Sequence, residues 1–348
     1  MQSIDFRDVK ILITGHTGFK GTWLSRILSN WGAEVSGISL RPEVGSLFAR
    51  TKGIEFRNSR YIDINDRKKI EKVIVRDNPD VLIHMAAQPL VRRSYREPVE
   101  TFETNVMGTA HVLNASLKCA NLKGVIAITT DKVYRNVEKY EGYHEDEPLG
   151  GNDPYSASKS GSEMVVTAWR NLSKIKSGPQ IVAARSGNVI GGGDHAQDRL
   201  LPDLIRGFLN NQKVEIRNPN SLRPWQHVLD PLFGYLSIAS HLLKGLSLQG
   251  AYNFGPEEKS KLKVSDMADI ACNFWPNNQG WTHAPISENM PESNLLWLSS
   301  ERSKKELGWR NKLGAKEAIK WTIDWELMAR DRGPLVAIDS QIERYLQL

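Results

Sequence analysis

The stretch ILITGHTGFKGTWLSRILSNWG, residues 11–32, decides the fold. Four apolar or β-branched residues run straight into Gly15, Gly18 and Gly21, spaced GxxGxxG, and an amphipathic run follows without a break. A strand that turns sharply into a helix needs glycine where the backbone bends and where a ligand must come close. The new helix aims its unsatisfied amides and the positive end of its dipole at whatever lies ahead, and a pyrophosphate suits that position. Gly15, Thr17, Gly18, Phe19 and Gly21 are therefore candidate dinucleotide contacts.

Outward from this turn, short apolar runs alternate with longer segments of helical period. The runs are ILIT at 11–14, EVSGISL at 34–40, RYIDI at 60–64, VLIHMAA at 81–87, VIAITT at 125–130 and QIVAARSGNVI at 180–190. Amphipathic stretches near 21–31, 66–77, 98–120 and 155–173 separate them. Strands that are apolar on both faces must be covered by helices on both sides. The expectation is an α/β fold: a Rossmann-type doubly wound parallel sheet with a smaller, mixed C-terminal substrate lobe. After about residue 190 the rhythm loosens into Gly-, Asn- and Pro-rich loops with helical stretches near 200–210, 228–244 and 264–274. The predicted division is 1–190 for the dinucleotide-binding domain and 191–348 for the ligand lobe, with about 225–255 returning to the first domain.

The 348 residues carry a net charge of +6, with no block of like charge and no repeating basic-aromatic pattern. That balance favours a small anionic ligand over nucleic acid. Cys119 and Cys272 are too few and too far apart for a disulfide framework and read as buried packing residues. No window approaches the length of a membrane span, and the start has no apolar secretory core, so the expected compartment is the cytoplasm. No metal-ligand spacing appears.

Tyr155 and Lys159 form YxxxK where a helix begins. Positions four apart lie about 40° and about 6 Å from each other on a helix, so phenol and ammonium share a face. A nearby cation favours phenolate and brings the phenol toward working pH. The fifth strand ends in Thr129, Thr130, Asp131 and Lys132, at the sheet edge where ligands bind in this architecture. Thr130 can bond the oxygen that Tyr155 deprotonates. Asp131 and Lys132 add an acid and a base that simple hydride transfer does not need. The second strand ends Ser39, Leu40, Arg41, without the carboxylate that commonly binds the adenosine ribose; an arginine there can accommodate a 2′-phosphate, which leaves NAD and NADP both open. Asp63, beside Ile64 after the third strand, is a candidate for the adenine amino group.

The strings TGHTGFKGTWL, HMAAQPLVRRSY, ETNVMGT, TTDKVY, EPLGGNDPYSASK, RSGNVIGGGDHAQDRLLPD and RPWQHVLDPL together resemble the CDP-glucose 4,6-dehydratases, extended short-chain dehydrogenase/reductases that act on nucleotide sugars. The resemblance runs from about residue 10 to about 310. It implies NAD as cofactor and a nucleotide-sugar substrate, CDP-glucose favoured. It also implies an internal redox cycle in which Tyr155, assisted by Lys159 and Thr130, takes the carbon 4 hydroxyl proton. Asp131 would protonate the departing carbon 6 hydroxyl and Lys132 would handle the carbon 5 proton. A lysine can act as base only where burial or nearby positive charge depresses its pKa. By the same resemblance Ile64, Ala86, Ala87, Gln88, Asn105 and Thr129 line the cofactor side. Gln88, Asn188, Arg199, Leu201, Arg217 and Arg223 would meet the substrate. Two features depart from the family's pattern: Val133 stands where a cysteine is common, and RNVEKYEGYHEDEP at 135–148 lacks the usual tryptophan, which bears on the choice of hexose.

Two other readings compete. An epimerase, decarboxylase or reductase on the same scaffold needs no acid for a leaving carbon 6 hydroxyl, which Asp131 disfavours. A catalytically silent dinucleotide sensor would not need Tyr155 with Lys159. Apolar positions at helical spacing, Val106, Ala110 and Leu113 in one segment and Met164 and Val165 in another, suggest a helix-paired homodimer.

Overall fold

The computed structural model describes residues 5–284 and 295–348. Seven strands form one parallel sheet: β1 (Lys10–Thr14), β2 (Glu34–Ser39), β3 (Asn58–Tyr61), β4 (Val81–His84), β5 (Gly124–Ile128), β6 (Gln180–Arg185) and β7 (Ala251–Asn253), in the order β7-β6-β5-β4-β1-β2-β3. The order reverses between β1 and β4, and the carboxyl ends on either side of that point open the crevice where ligands bind in such sheets.

Alternate residues of the central strands feed two separate cores. Ile11, Ile13, Val81, Ile83, Ile126 and Val182 face one side, and Leu12, Leu82, Val125, Ala127 and Ile181 face the other. The first side is covered by α1 (Phe19–Asn30) and the apolar helix Leu229–Leu243; the second by Arg67–Asp77, Gly108–Ser116 and Pro154–Ile175. A further core around Ile190, Leu204, Phe208, Trp225, Met267 and Ile319 belongs to the smaller lobe. Helix Ala315–Arg332 serves both lobes, sending Ile319 and Ile323 into the smaller core and Trp321 and Trp325 into the first one. Residues of Pro334–Leu346, including Ile338 and Tyr345, also pack into the core beneath α1.

The long apolar run at 180–190 is two strands where the sequence predicted one. β6 stops at Arg185, and Val189–Ile190 pairs instead with Gln226–His227 in a separate two-stranded sheet. Asn188 between them has φ +49°, and a side chain on Gly187 would overlap the Asp131 carboxyl carbon at 2.1 Å. The stretch 98–120 is likewise segmented: Pro98–Phe102, a π-turn at Glu103–Met107, then Gly108–Ser116. Cys119 is buried as expected, whereas Cys272 is only half-buried. No helix among the described residues is long and apolar enough to cross a membrane.

Asp230 opens the helix under the sheet and is fully buried; the Tyr345 hydroxyl donates to its Oδ1 at 2.7 Å and the Lys312 amide at 2.8 Å. Burial pushes its carboxyl up to about 7, against hydrogen bonds from Lys312 and Tyr345 that pull it down. Between about pH 4 and pH 7 the folded chain therefore keeps a proton that the unfolded chain has lost, and stability falls as pH rises through that window. His16, His84 and His227 are held neutral by burial and act in the opposite sense, so only a difference between variants isolates Asp230. Asp230→Asn keeps an acceptor for both donors. It should gain more stability over the parent at pH 8 than at pH 5, by an amount on the order of 3 kcal/mol, in urea unfolding. An equal change at the two pH values would contradict the assignment.

Candidate active site

The phosphate-binding turn is built by exclusion. Gly15 has φ +79°, and a Cβ there would lie 2.8 Å from the Ala86 nitrogen at the exit of β4. A Cβ on Gly21 would stand 2.1 Å from the Gly15 carbonyl oxygen. Gly15 donates its N–H to Ile38 of β2 at 2.7 Å, and Gly18 is the N-cap of α1, with no side chain capping the first turn. Thr17 Oγ1 is bonded to Ser39 Oγ at 2.7 Å and donates to the Leu40 carbonyl. A backbone concavity that side chains would fill, facing a helix N-terminus that no side chain caps, fits a dinucleotide pyrophosphate. Phe19 begins α1. Asp63 Oδ1 accepts the Asn65 N–H, and Ile64 packs where a Cβ on Gly108 would collide with it.

Across the crevice, β5 ends at Ile128 and the chain passes through Thr129 and Thr130 into a single 3-10 turn, Asp131–Val133. Thr130 caps that turn by accepting the Lys132 N–H, and its hydroxyl donates to Asp131 Oδ1 at 2.8 Å. The buried Tyr155 phenol stands close enough to Thr130 and Asp131 to feel both, so phenol, hydroxyl and carboxylate form one cluster. Pro154 at the first helical position and the Asp153 cap, which accepts the Ser156 N–H, fix where the helix starts and hence where Tyr155 stands. One turn on, the buried Lys159 donates to the Ile128 carbonyl at 3.2 Å.

Burial pushes the Tyr155 phenol up to about 12; the Thr130 hydrogen bond and the Arg199 charge oppose it, and Asp131 adds to it. The sequence had suggested a lowered phenol, and in the protein by itself desolvation outweighs the cations. Burial lowers Lys159 to about 8, with the Glu163 carboxylate holding it from falling further. Lys132 is half-buried in the 3-10 turn. The lysine ammoniums that burial strongly desolvates are Lys159 and Lys20, the latter lowered to about 7 by burial first and then by Arg199 and Lys159. Lys20 Nζ donates to Ser186 Oγ at 3.1 Å and to the Tyr235 hydroxyl at 3.4 Å, beneath the same cluster.

Several residues expected to touch ligands are occupied by the protein itself. The Gln88 side chain accepts the Leu90 N–H and donates to Leu90 and Thr101, while its backbone N–H goes to Asn105 Oδ1. Asn105, in the π-turn, donates to the Gln88 carbonyl and to Ser158 Oγ, so it ties the end of β4 to the turn between Tyr155 and Lys159. Thr129 donates to Glu163, and Leu201 is buried in the smaller lobe's core. Ala86 and Ala87 follow β4 at the crevice, the Ala86 N–H donating to Thr14 Oγ1. Asn188 accepts the Gln226 N–H through its carbonyl. Arg199 pairs with Asp194 at 3.0 Å, Arg217 with Asp198 at 3.6 Å, and Arg223 lies on the short strand Leu222–Pro224 at the lobe's edge. Arg92 also approaches Asp198, at 3.5 Å. Lys20, Asp194, Glu163 and Arg92 were not singled out from the sequence. Lys20 alone carried a signal there, a charge set inside the glycine turn between Gly18 and Gly21 where the first helix begins.

The parallel sheet, the glycine turn and the Tyr155–Lys159 face define a dinucleotide-dependent enzyme of the short-chain dehydrogenase/reductase type. Residues 11–255 match the model of the NAD dependent epimerase/dehydratase family, and the chain belongs to that family. It is 42% identical to a CDP-glucose 4,6-dehydratase of Salmonella typhimurium over 97% of this chain and 96% of that one. It is 25% identical to a dTDP-glucose 4,6-dehydratase of Shigella flexneri, covering 92% and 93% of the two chains. Among solved structures it resembles a dTDP-glucose 4,6-dehydratase of Streptomyces venezuelae, solved with NAD bound, at TM-score 0.77 and 21% identity over 92% of this chain and 97% of the other. A UDP-glucose 4-epimerase of Thermotoga maritima matches at TM-score 0.77 and 21% identity, over 92% and 99%. The cofactor is NAD.

Proposed function

We propose that the chain converts CDP-D-glucose to CDP-4-keto-6-deoxy-D-glucose with loss of water, a step toward deoxysugars of cell-surface polysaccharide. The observation that carries this reading is the cluster of Tyr155 with the hydrogen-bonded pair Thr130–Asp131. It sets a carboxyl acid beside the phenol that handles the hydroxyl proton, and a dehydratase needs both. The relative at 42% identity supports the CDP-sugar as substrate.

Tyr155 Oη takes the carbon 4 hydroxyl proton as the phenolate, which Lys159 one turn behind and the positive charge of an oxidised nicotinamide would favour against burial. Bound NAD supplies the hydride acceptor for carbon 4 and later the hydride donor for carbon 6. The family resemblance assigns Lys132 the carbon 5 proton that the new ketone acidifies, a role that requires its ammonium to give up its proton once substrate covers the half-buried side chain. Asp131 protonates the departing carbon 6 hydroxyl, which leaves as water, and carbon 5 regains a proton at the end. Asn188, Arg199, Arg217 and Arg223 flank the nucleotide diphosphate, whose oxygens match the guanidinium fork. Gly15 to Gly21, Ala86 and Ala87 hold the cofactor.

The test incubates purified protein and NAD with CDP-, dTDP-, GDP- and UDP-glucose in deuterated solvent. The 4-keto-6-deoxy product, with deuterium at carbon 5, is expected from CDP-glucose first. Asp131→Asn should slow elimination by about a hundredfold while hydride transfer falls far less. A ketone that keeps its carbon 6 hydroxyl in the parent enzyme, or equal loss of both steps in the variant, defeats the proposal.

We also infer a homodimer through the helices at 98–116 and 154–175. Ala110 and Leu113 are core residues, so they do not contribute to that face. Val99, Phe102, Met107 and Met164 are exposed apolar residues on these helices, as is Ile175 at the far end of the second. Met107→Glu with Met164→Glu should halve the mass seen by light scattering; an unchanged mass would exclude this face. Two unpaired cysteines and a nucleotide-activated substrate are in keeping with the cytoplasm.

A further inference from the structure

We propose that Arg41 gives the adenosine end of the cofactor site an affinity for a 2′-phosphate, so that the chain binds NADP as well as NAD. The inference rests on the dinucleotide site described above and is independent of the sugar chemistry.

Selectivity for NAD in this architecture comes from a carboxylate at the end of the second strand, which accepts hydrogen bonds from the ribose hydroxyls and repels a phosphate. Here β2 leaves the sheet through Ser39, Leu40 and Arg41, with no carboxylate among them. The exit is locked to the phosphate-binding turn, because Ser39 Oγ and the Leu40 carbonyl are both bonded to Thr17 Oγ1. The residue that follows therefore stands beside the turn. The Arg41 guanidinium lies over the ring of Tyr61, at 5.3 Å from its centroid, and Tyr61 is the β3 residue in register with Ser39. A cation resting on an aromatic face keeps its N–H edge available, and that edge matches two phosphate oxygens at once.

No carboxylate is paired with this charge. Among the described residues Arg41 has no ion-pair partner. Glu43, two residues on, is exposed and forms no ion pair with it. Asp63 Oδ1 accepts the Asn65 N–H within its own turn. A ribose 2′-phosphate arriving at this edge meets a preplaced guanidinium and no acid in the usual position.

The test measures dissociation constants of the full-length protein for NAD and NADP by quenching of tryptophan fluorescence at one fixed ionic strength, for the parent and for Arg41→Asp. The parent should bind NADP within about tenfold of NAD. Arg41→Asp should weaken NADP by roughly thirtyfold or more relative to NAD, whose ribose hydroxyls the new carboxylate can accept. Added salt should weaken NADP more than NAD in the parent only. An NADP constant more than about tenfold above that of NAD in the parent, or a loss shared equally by both cofactors in Arg41→Asp, overturns the proposal. Because the titrations contain no sugar, they stand or fall apart from the product assay: failure to make a ketone would refute the dehydratase reading and leave this one standing.

Discussion

Replacing Tyr155 with phenylalanine should lower kcat by about a thousandfold while the nucleotide sugar binds within about threefold of its parent affinity. The ring is buried and stays so, because phenylalanine fills the same space. Only Oη is lost, the atom proposed above to accept the carbon 4 hydroxyl proton, and with it the influence of Thr130 on the phenol. A thousandfold is about 4 kcal/mol of activation free energy, more than one ordinary hydrogen bond contributes. Rapid mixing of enzyme, NAD and CDP-glucose should show no burst of reduced nicotinamide absorbance in the variant. If the burst persists and only product formation slows, Tyr155 acts after hydride transfer and the order of steps given above is wrong. Thr130 keeps its bond to Asp131 in the variant, so elimination from a supplied 4-ketohexose should survive. That second assay separates loss of the redox base from general collapse of the site.

What could be seen in advance and what could not divide along a physical line. Ile11, Leu12 and Ile13 announce a doubly covered strand because burial on both faces imposes a continuous apolar run, and Gly15 and Gly21 announce the turn because a side chain at either would overlap backbone atoms. Both are local demands that leave local traces. The break at Gly187–Asn188 does not, since it depends on Asp131 packing against the glycine from over fifty residues away. Gln88 and Asn105 look like ligand contacts by type. Each side chain is taken up by neighbours that only the fold supplies, Leu90 and Thr101 for one, Gln88 and Ser158 for the other. Leu201 was expected as a contact from the family resemblance and packs in a core. The Tyr155–Lys159 spacing was legible, but the sign of the phenol's shift was not, because desolvation is a property of the closed site.

Removing Arg185 should destabilise the protein by about 3–5 kcal/mol, the range for leaving one member of a buried ion pair alone. Arg185 ends β6 and Glu163 sits one turn beyond Lys159; both are almost wholly buried and meet through two parallel bonds of 2.8 and 2.9 Å. The guanidinium also donates to the Tyr134 hydroxyl and to the Glu145 carbonyl, and Thr129 donates to Glu163 at 2.6 Å. Arg185→Met strands the carboxylate, whereas Arg185→Met with Glu163→Met removes both charges and should recover much of the loss in urea unfolding. A double variant no more stable than Arg185→Met would mean that shape, not charge, sets the cost. The pair also reaches the chemistry. Glu163 is the charge that raises Lys159 against burial, so Glu163→Gln, which keeps an acceptor for Thr129 and Arg185, should let the ammonium fall further below about 8. In the mechanism proposed above Lys159 acts as a cation, so activity should decline as pH rises through its pKa. The alkaline limb of the kcat profile must therefore move to lower pH in Glu163→Gln. A limb that stays in place would show that the carboxylate braces the fold without setting the charge of the lysine beside it.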